Sequence, residues 1–271
     1  MQFSNVTRFM NKMSSFHKKF KTFLKESLDL SNLEPNNSLH PDFWNERSLN
    51  KVVQRKLSYL ANQIMEQVKI SEFIEDIVIT GSIASYNWHS LSDVDLHFLF
   101  DFKKINQDIE LVKKMLDLTR MKWNKDHKIM IFDHEVEIYF QDVNEPHKSL
   151  GTYSILRKEW IENPAMPSKK HDKSAVAVKA GAILREIDRI QELFVEKRYK
   201  ESYEYSKTLK KKIKTMRSIG LAGEGIYSVE NMAFKALRNN DKLSLLSFLK
   251  TSSYDKLMGV SRLVKIGLSR D

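Results

Sequence analysis

Apolar residues recur at intervals of three and four over residues 48–69, where Leu49, Val52, Val53, Leu57, Leu60, Ile64 and Val68 mark one side of a helix. The period then changes. Ile77 to Thr80 reads as a short buried strand, residues 81–92 as a loop entering or containing a short helix, and Asp93 to Phe100 as a second strand. Helical spacing returns from Ile105 to about Lys125, through Ile109, Val112, Met115, Leu116 and Met121. Ile129 to Phe132 and Glu135 to Phe140 then predict a hairpin with a tight turn at Asp133 and His134. The order strand, loop, strand, helix, hairpin describes a small mixed α/β unit at about 70–142.

Residues 143–167 read as irregular, with Pro146, Gly151, Pro164 and Pro167 as punctuation. From Ser174 to Leu268 the pattern is helical: Val176, Ile183, Ile187, Ile190, Leu193 and Phe194 in one stretch, Tyr203 to Met216 in the next, then 229–238. Gly220, Gly223 and Gly225 suit the end of one helix better than a phosphate loop, with Ser228 capping the next. The first 28 residues set Phe3, Phe9, Met13, Phe16, Phe20, Phe23 and Leu24 among Arg8, Lys12, Lys18, Lys19, Lys21 and Lys25. These spacings favour an amphipathic helix packed on the body over a membrane-surface helix, and the segment lacks the uninterrupted apolar stretch of a targeting peptide. Asn32 to Pro41 is rich in turn formers. The expected organisation is an N-terminal helix and linker at 1–40, an α/β core at 41–167 and a basic helical domain at 168–271. The expected class is therefore α+β: a small sheet with flanking helices and a mainly helical C-terminal region.

Bulk composition narrows this little. The 271 residues are 41% hydrophobic and include no cysteine, which excludes disulfides and cysteine-based metal or nucleophile chemistry and fits a cytoplasmic protein. No apolar run approaches the roughly 18 to 20 residues of a membrane span, so no membrane partner is expected. The formal net charge of +10 suggests a polyanionic partner. Between Lys169 and Arg217 there are 15 Lys and Arg against 7 Asp and Glu, so most of that charge sits in the helical half.

The candidate chemistry lies at 81–97 and 135–141. Alternate strand residues share a face, so Asp93, Asp95 and His97 point one way, as do Glu135, Glu137, Tyr139 and Gln141 on the hairpin's second strand. If those strands are neighbours, Glu137 completes a three-carboxylate cluster whose hard oxygens suit magnesium. Two such ions about 4 Å apart can stabilise both oxygens of an in-line phosphoryl displacement. Gly81 lets the backbone approach a phosphate, and Ser82 adds a hydroxyl and an amide. A helix beginning in 82–88 would add partial positive charge.

Gly81 and Ser82, ten residues, then Asp93-x-Asp95, after the apolar lead-in Ile77 to Thr80 and with Glu137 on a later strand, resemble the DNA polymerase beta-like nucleotidyltransferase superfamily. The sequence is similar to nucleotidyltransferases predicted in tailed bacteriophages, through Asp76–His97, Glu135–Pro146 and Gly223–Arg238. The likeness spans most of residues 41–245, with the first block specific for chemistry and the first 35 residues outside it. It implies transfer of a nucleoside monophosphate from a triphosphate such as ATP to a hydroxyl, with pyrophosphate released. By the resemblance Asp93 and Asp95 bind two Mg2+ ions, for which Mn2+ can substitute, Glu137 binds the catalytic ion and helps activate the acceptor, and Gly81 and Ser82 hold the β- and γ-phosphates. The implied setting is the cytoplasm, the host's if the chain is phage-encoded.

Several readings stay open at the level of sequence. Glu135 competes with Glu137 but sits beside the turn. His97 either touches substrate phosphate or serves as a hydrogen-bond partner behind the acids. Ser92, a nucleotide-binding candidate, more readily caps or orients the loop. Asn144 to His147 and Gly151 to Ser154 either line the site or form a crossover. Lys210 to Lys214 is either a solvated helix face or a groove for an anionic acceptor. The expected acceptor is an RNA, such as a tRNA, or another nucleic-acid 3′ end bound on the basic helices. The alternatives are a cyclic or linear oligonucleotide synthase, transfer to a protein or small molecule, and a non-catalytic nucleic-acid-binding protein. No histidine follows His171, so the helical half lacks an Arg-x(4–6)-His ribonuclease motif.

Overall fold

A computed structural model describes residues 28–145, 149–166 and 172–259. The amphipathic helix expected in the first 28 residues lies almost wholly outside them. The chain divides into two units, Glu34–Ser168 and Lys169–Asp271, the latter joined by Met1–Leu33.

The first unit opens with a two-stranded ribbon, β1 (Trp44–Asn45) and β2 (Ser48–Leu49), followed by helix α1 (Lys51–Val68). Asn50 starts α1 by accepting a bond from the Val52 N–H at 2.9 Å, and Lys69 ends it in the left-handed conformation. Strands β3 (Ile74–Thr80) and β4 (Val94–Phe100) come next, then the single turn α2 (Phe102–Ile105) and helix α3 (Ile109–Asp126). Strands β5 (Met130–Ile131), β6 (His134–Asp142), β7 (Thr152–Ser154) and β8 (Glu159–Glu162) complete a six-stranded sheet in the order β5-β6-β4-β3-β7-β8. Only the β4–β6 pair is parallel, because α3 carries the chain back between them.

Alternation in β4 and β6 sorts the two faces. Val94, Leu96, Phe98, Val136 and Ile138 are buried in one core with Val53, Leu57 and Ile64 of α1 and Val112 and Leu116 of α3. Asp95, His97, Glu137, Tyr139 and Gln141 occupy the opposite face.

Three expectations need correction. The hairpin turn falls at Phe132 and Asp133, one position early, with Phe132 at φ 52°. His134 therefore enters β6, where its ring is 4% exposed and bonded on both sides. The segment 143–167 is not irregular throughout: it holds β7 and β8, pinned by Trp44, Tyr153 and Trp160, whose rings lie 4.5–5.3 Å apart. Three short buried residues show no period, so only these long-range contacts define β7. The loop 81–92 contains no helix. Its Ile83 and Tyr86 carbonyls accept bonds from the Trp44 indole at 2.8 Å and the Asn36 N–H at 2.6 Å, and its serine hydroxyls bond within the loop. Such bonds compete with helical pairing, so no helix N-terminus is available to a phosphate here.

The second unit comprises α4 (Lys173–Val195), α5 (Tyr199–Ala222), α6 (Val229–Asn239) and α7 (Lys242–Met258). Their apolar faces bury Ile183, Ile187, Leu209, Met232, Leu237 and Leu249 together with Leu33. Gly223 ends α5 and Ser228 caps α6 by accepting from the Asn231 N–H at 3.2 Å, so the glycine cluster is a helix junction. No helix of the described residues is long and apolar enough to cross a membrane.

Candidate active site

The register sets the centre of the site. Asp95 lies opposite Thr80 on β3 and opposite Glu137 on β6, so the second and third acids are direct neighbours on one face. Asp93 is half-buried one residue ahead of β4 and two before Asp95. Glu135, the competing acid, is half-buried beside the turn and pairs with Lys128 at 3.8 Å.

Gly81 closes over Asp95. Its φ is 75°, and a Cβ placed on it would stand 1.9 Å from Asp95 Oδ2. Only glycine permits both the backbone conformation and the approach. Beyond it the Ser82 hydroxyl donates to Ser92 Oγ at 2.8 Å, and Ser92 Oγ also accepts the His89 N–H at 3.0 Å. Ser92 is 3% exposed, so its hydroxyl braces the loop. Ser149 Oγ lies 2.6 Å from Thr80 Oγ1, and a Cβ on Gly151 would meet the Ala84 carbonyl at 2.0 Å. Ser149 and Gly151 therefore back the Gly81 loop. Asn144 does not: it bonds to Asp142, which pairs with Phe100 at the far end of β4.

A second layer fixes Glu137. The Tyr139 hydroxyl donates to Glu137 Oε2 at 2.5 Å. Burial first, then the charge of Asp95 and the bond to Glu137, push this phenol well above the ordinary tyrosine range, so it stays a donor. Its ring stacks on His97 with centroids 4.7 Å apart, and the Arg120 guanidinium covers it at 5.1 Å. Arg120 arrives from α3 because Asn124, one turn on, bonds both backbone groups of Ile138 at the β6 edge. His97 Nδ1 lies 2.8 Å from Gln141 Oε1, which gives it the hydrogen-bonded supporting place rather than a free one.

Another chain of bonds holds the start of β4. His134 Nδ1 lies 2.6 Å from the Ser92 carbonyl, His134 Nε2 lies 3.0 Å from His40 Nε2, and His40 Nδ1 accepts from the Asp42 N–H at 3.3 Å. A carbonyl only accepts, so His134 carries its proton on Nδ1 and accepts at Nε2 from His40. Both rings are thus neutral. Burial first, then His134, lower the pKa of His40 against the opposing pull of Asp42.

Tyr139 is legible in sequence as a same-face neighbour of Glu137. Arg120, His40 and His134 are not, because α3 and the segment before β1 reach the site only through tertiary packing. As the side chains stand, no three His, Asp or Glu among the described residues converge as metal ligands. The donor set of Asp93, Asp95 and Glu137 is nevertheless all carboxylate oxygen, the chemistry magnesium prefers, and the missing Cβ at Gly81 leaves the cradle that the Asp95 carboxylate enters. Comparison with protein-family models, curated proteins and solved structures finds no match.

Proposed function

We propose that the chain is a magnesium-dependent nucleotidyltransferase that moves a nucleoside monophosphate from a triphosphate to a hydroxyl, the acceptor being an RNA or other nucleic-acid 3′ end. The observation that carries the reading is the pairing of Asp95 with Glu137 on adjacent strands, under a glycine that closes on Asp95. Asp93, Asp95 and Glu137 would hold Mg2+, which when bound neutralises phosphate charge on both sides of the reacting phosphorus.

The residues of the chain supply the rest. The Gly81 and Ser82 backbone receives the β- and γ-phosphates. Tyr139 occupies Glu137 Oε2, so Oε1 is the oxygen assigned to the reaction. The acceptor oxygen forms a bond to the α-phosphorus, the bond from that phosphorus to the bridging oxygen breaks, and pyrophosphate leaves. The hydroxyl proton is accepted at Glu137. The basic helices attract the polyanionic acceptor.

The test is incubation with each labelled triphosphate, Mg2+ or Mn2+, and total RNA, with Asp93→Ala/Asp95→Ala as control. Label should enter RNA only with the metal and the intact acids. Label in a small product formed without RNA would replace the acceptor with a nucleotide. Equal incorporation by the double variant would refute the enzymatic reading.

A further inference from the structure

A cavity of about 590 Å3 opens on the helical unit. Its floor is apolar, made by Ile213 of α5, Phe234 of α6 and Leu243 and Leu246 of α7. Its rim is cationic: Lys210, Lys211, Lys214 and Arg217 line it from α5, and no carboxylate among the described residues does. This differs from other basic positions of the same unit, where Lys179 pairs with Glu230 and Lys212 with Glu186 at 2.7 Å. Two of the rim cations have neutral partners instead. Lys210 Nζ donates to Ser247 Oγ at 2.8 Å and Arg217 Nε to Asn231 Oδ1 at 3.3 Å. The Arg217 guanidinium also lies on the Phe234 ring, 4.3 Å from its centroid.

One turn of α6 beyond Asn231, Lys235 adds to this field. It is half-buried, and its charged neighbours among the described residues are Arg238 and Arg217. Burial first, then the charges of Arg238 and Arg217, pull its pKa down to about 8.

We propose that this cleft seats a single-stranded nucleic acid, one base entering over Arg217 and Phe234 while phosphates of the same strand lie along the α5 rim. An apolar floor with stacked aromatic and guanidinium groups takes the flat face of any base, and the cations take the backbone. The size suits a nucleotide, since small-ligand pockets run from about 300 to 1,000 Å3. Lys210 to Arg217 extends about 10 Å along the helix, more than one phosphate needs. The inference deepens the acceptor part of the function proposed above and rests on it for the strand's role as acceptor. Binding itself is independent of catalysis.

The test is fluorescence anisotropy of a labelled single-stranded 12-mer with the full chain and no divalent metal, over a salt series. Lys214→Ala/Arg217→Ala is expected to weaken binding at least tenfold and flatten the salt dependence, and Phe234→Leu to weaken it severalfold with the salt dependence kept. Lys207→Ala/Lys212→Ala, on the same helix but paired with Glu204 at 3.9 Å and with Glu186 of α4 at 2.7 Å, should change it less than twofold. The Asp93→Ala/Asp95→Ala chain should bind as the wild type does, so a dead active site and a missing strand site read out separately. Three results overturn the proposal: no binding at low salt, binding indifferent to the cleft variants, or full displacement by an equal concentration of free nucleoside monophosphate. Capture by anionic vesicles in place of the 12-mer also overturns it.

Discussion

Gly81→Ala separates backbone strain from side-chain collision at the centre of the site. An alanine at φ 75° costs about 1–2 kcal/mol in the left-handed region. Its Cβ would also stand 1.9 Å from Asp95 Oδ2 and 2.9 Å from Asp95 Cγ, but 3.4 Å from Asp95 Cβ. The collision is thus confined to the carboxylate, and Asp95→Ala removes it while leaving the glycine conformation unchanged. In the wild-type background Gly81→Ala should therefore cost the strain plus the displacement of Asp95. In the Asp95→Ala background it should cost the strain alone. Coupled neighbours typically differ by about 0.5–3 kcal/mol in such a cycle, and a value near 1–2 is expected here. Urea unfolding of the four proteins measures it without any assumption about activity. Additivity within about 0.3–0.5 kcal/mol would mean that Gly81 does not close on Asp95, and the site geometry would be wrong. If the proposed nucleotidyl transfer holds, the single variant should also lose it about a hundredfold, the usual effect of moving a reacting group by about 1 Å.

Tyr139→Phe keeps the ring stacked on His97 and under Arg120 but removes the donor to Glu137. A bond to a charged group contributes about 1.5–3 kcal/mol to stability, so urea unfolding should show a loss of that size and kcat of the proposed transfer should fall with it; an unaltered kcat would remove Tyr139 from the site. The His40–His134 pair sets an acid limit on the first unit. The unfolded chain takes up the His40 proton near its ordinary value of about 6.5, and the folded chain only at lower pH. Stability is therefore full above about pH 6.5 and is lost as pH falls through the depressed folded value. Denaturant midpoints between pH 7.5 and 5 should show this slope, and His40→Gln should flatten it. A slope that His40→Gln leaves unchanged assigns the acid limit to other groups.

Much of this molecule is written in local periodicity. The α1 stripe from Val53 to Ile64, the alternation of Val94, Leu96 and Phe98 against Asp95 and His97, and the helical spacing of Ile183 and Ile187 each follow from burying one face of one element. The same alternation put Glu137 and Tyr139 on a common face, while the glycine at 81, expected to admit a phosphate, closes on Asp95. Other features depend on chain segments that are distant in sequence. Tertiary packing aligned β4 with β6 so that Asp95 faces Glu137, brought Arg120 round the sheet edge, and slid the hairpin turn by one residue to seat His134 between Ser92 and His40. It also made strands of Thr152 to Ser154 and kept 81–92 from becoming a helix, because Trp44 and Asn36 claim the loop carbonyls. Periodicity reports which face of an element is buried; which neighbour buries it, and at what register, is decided only when the elements meet.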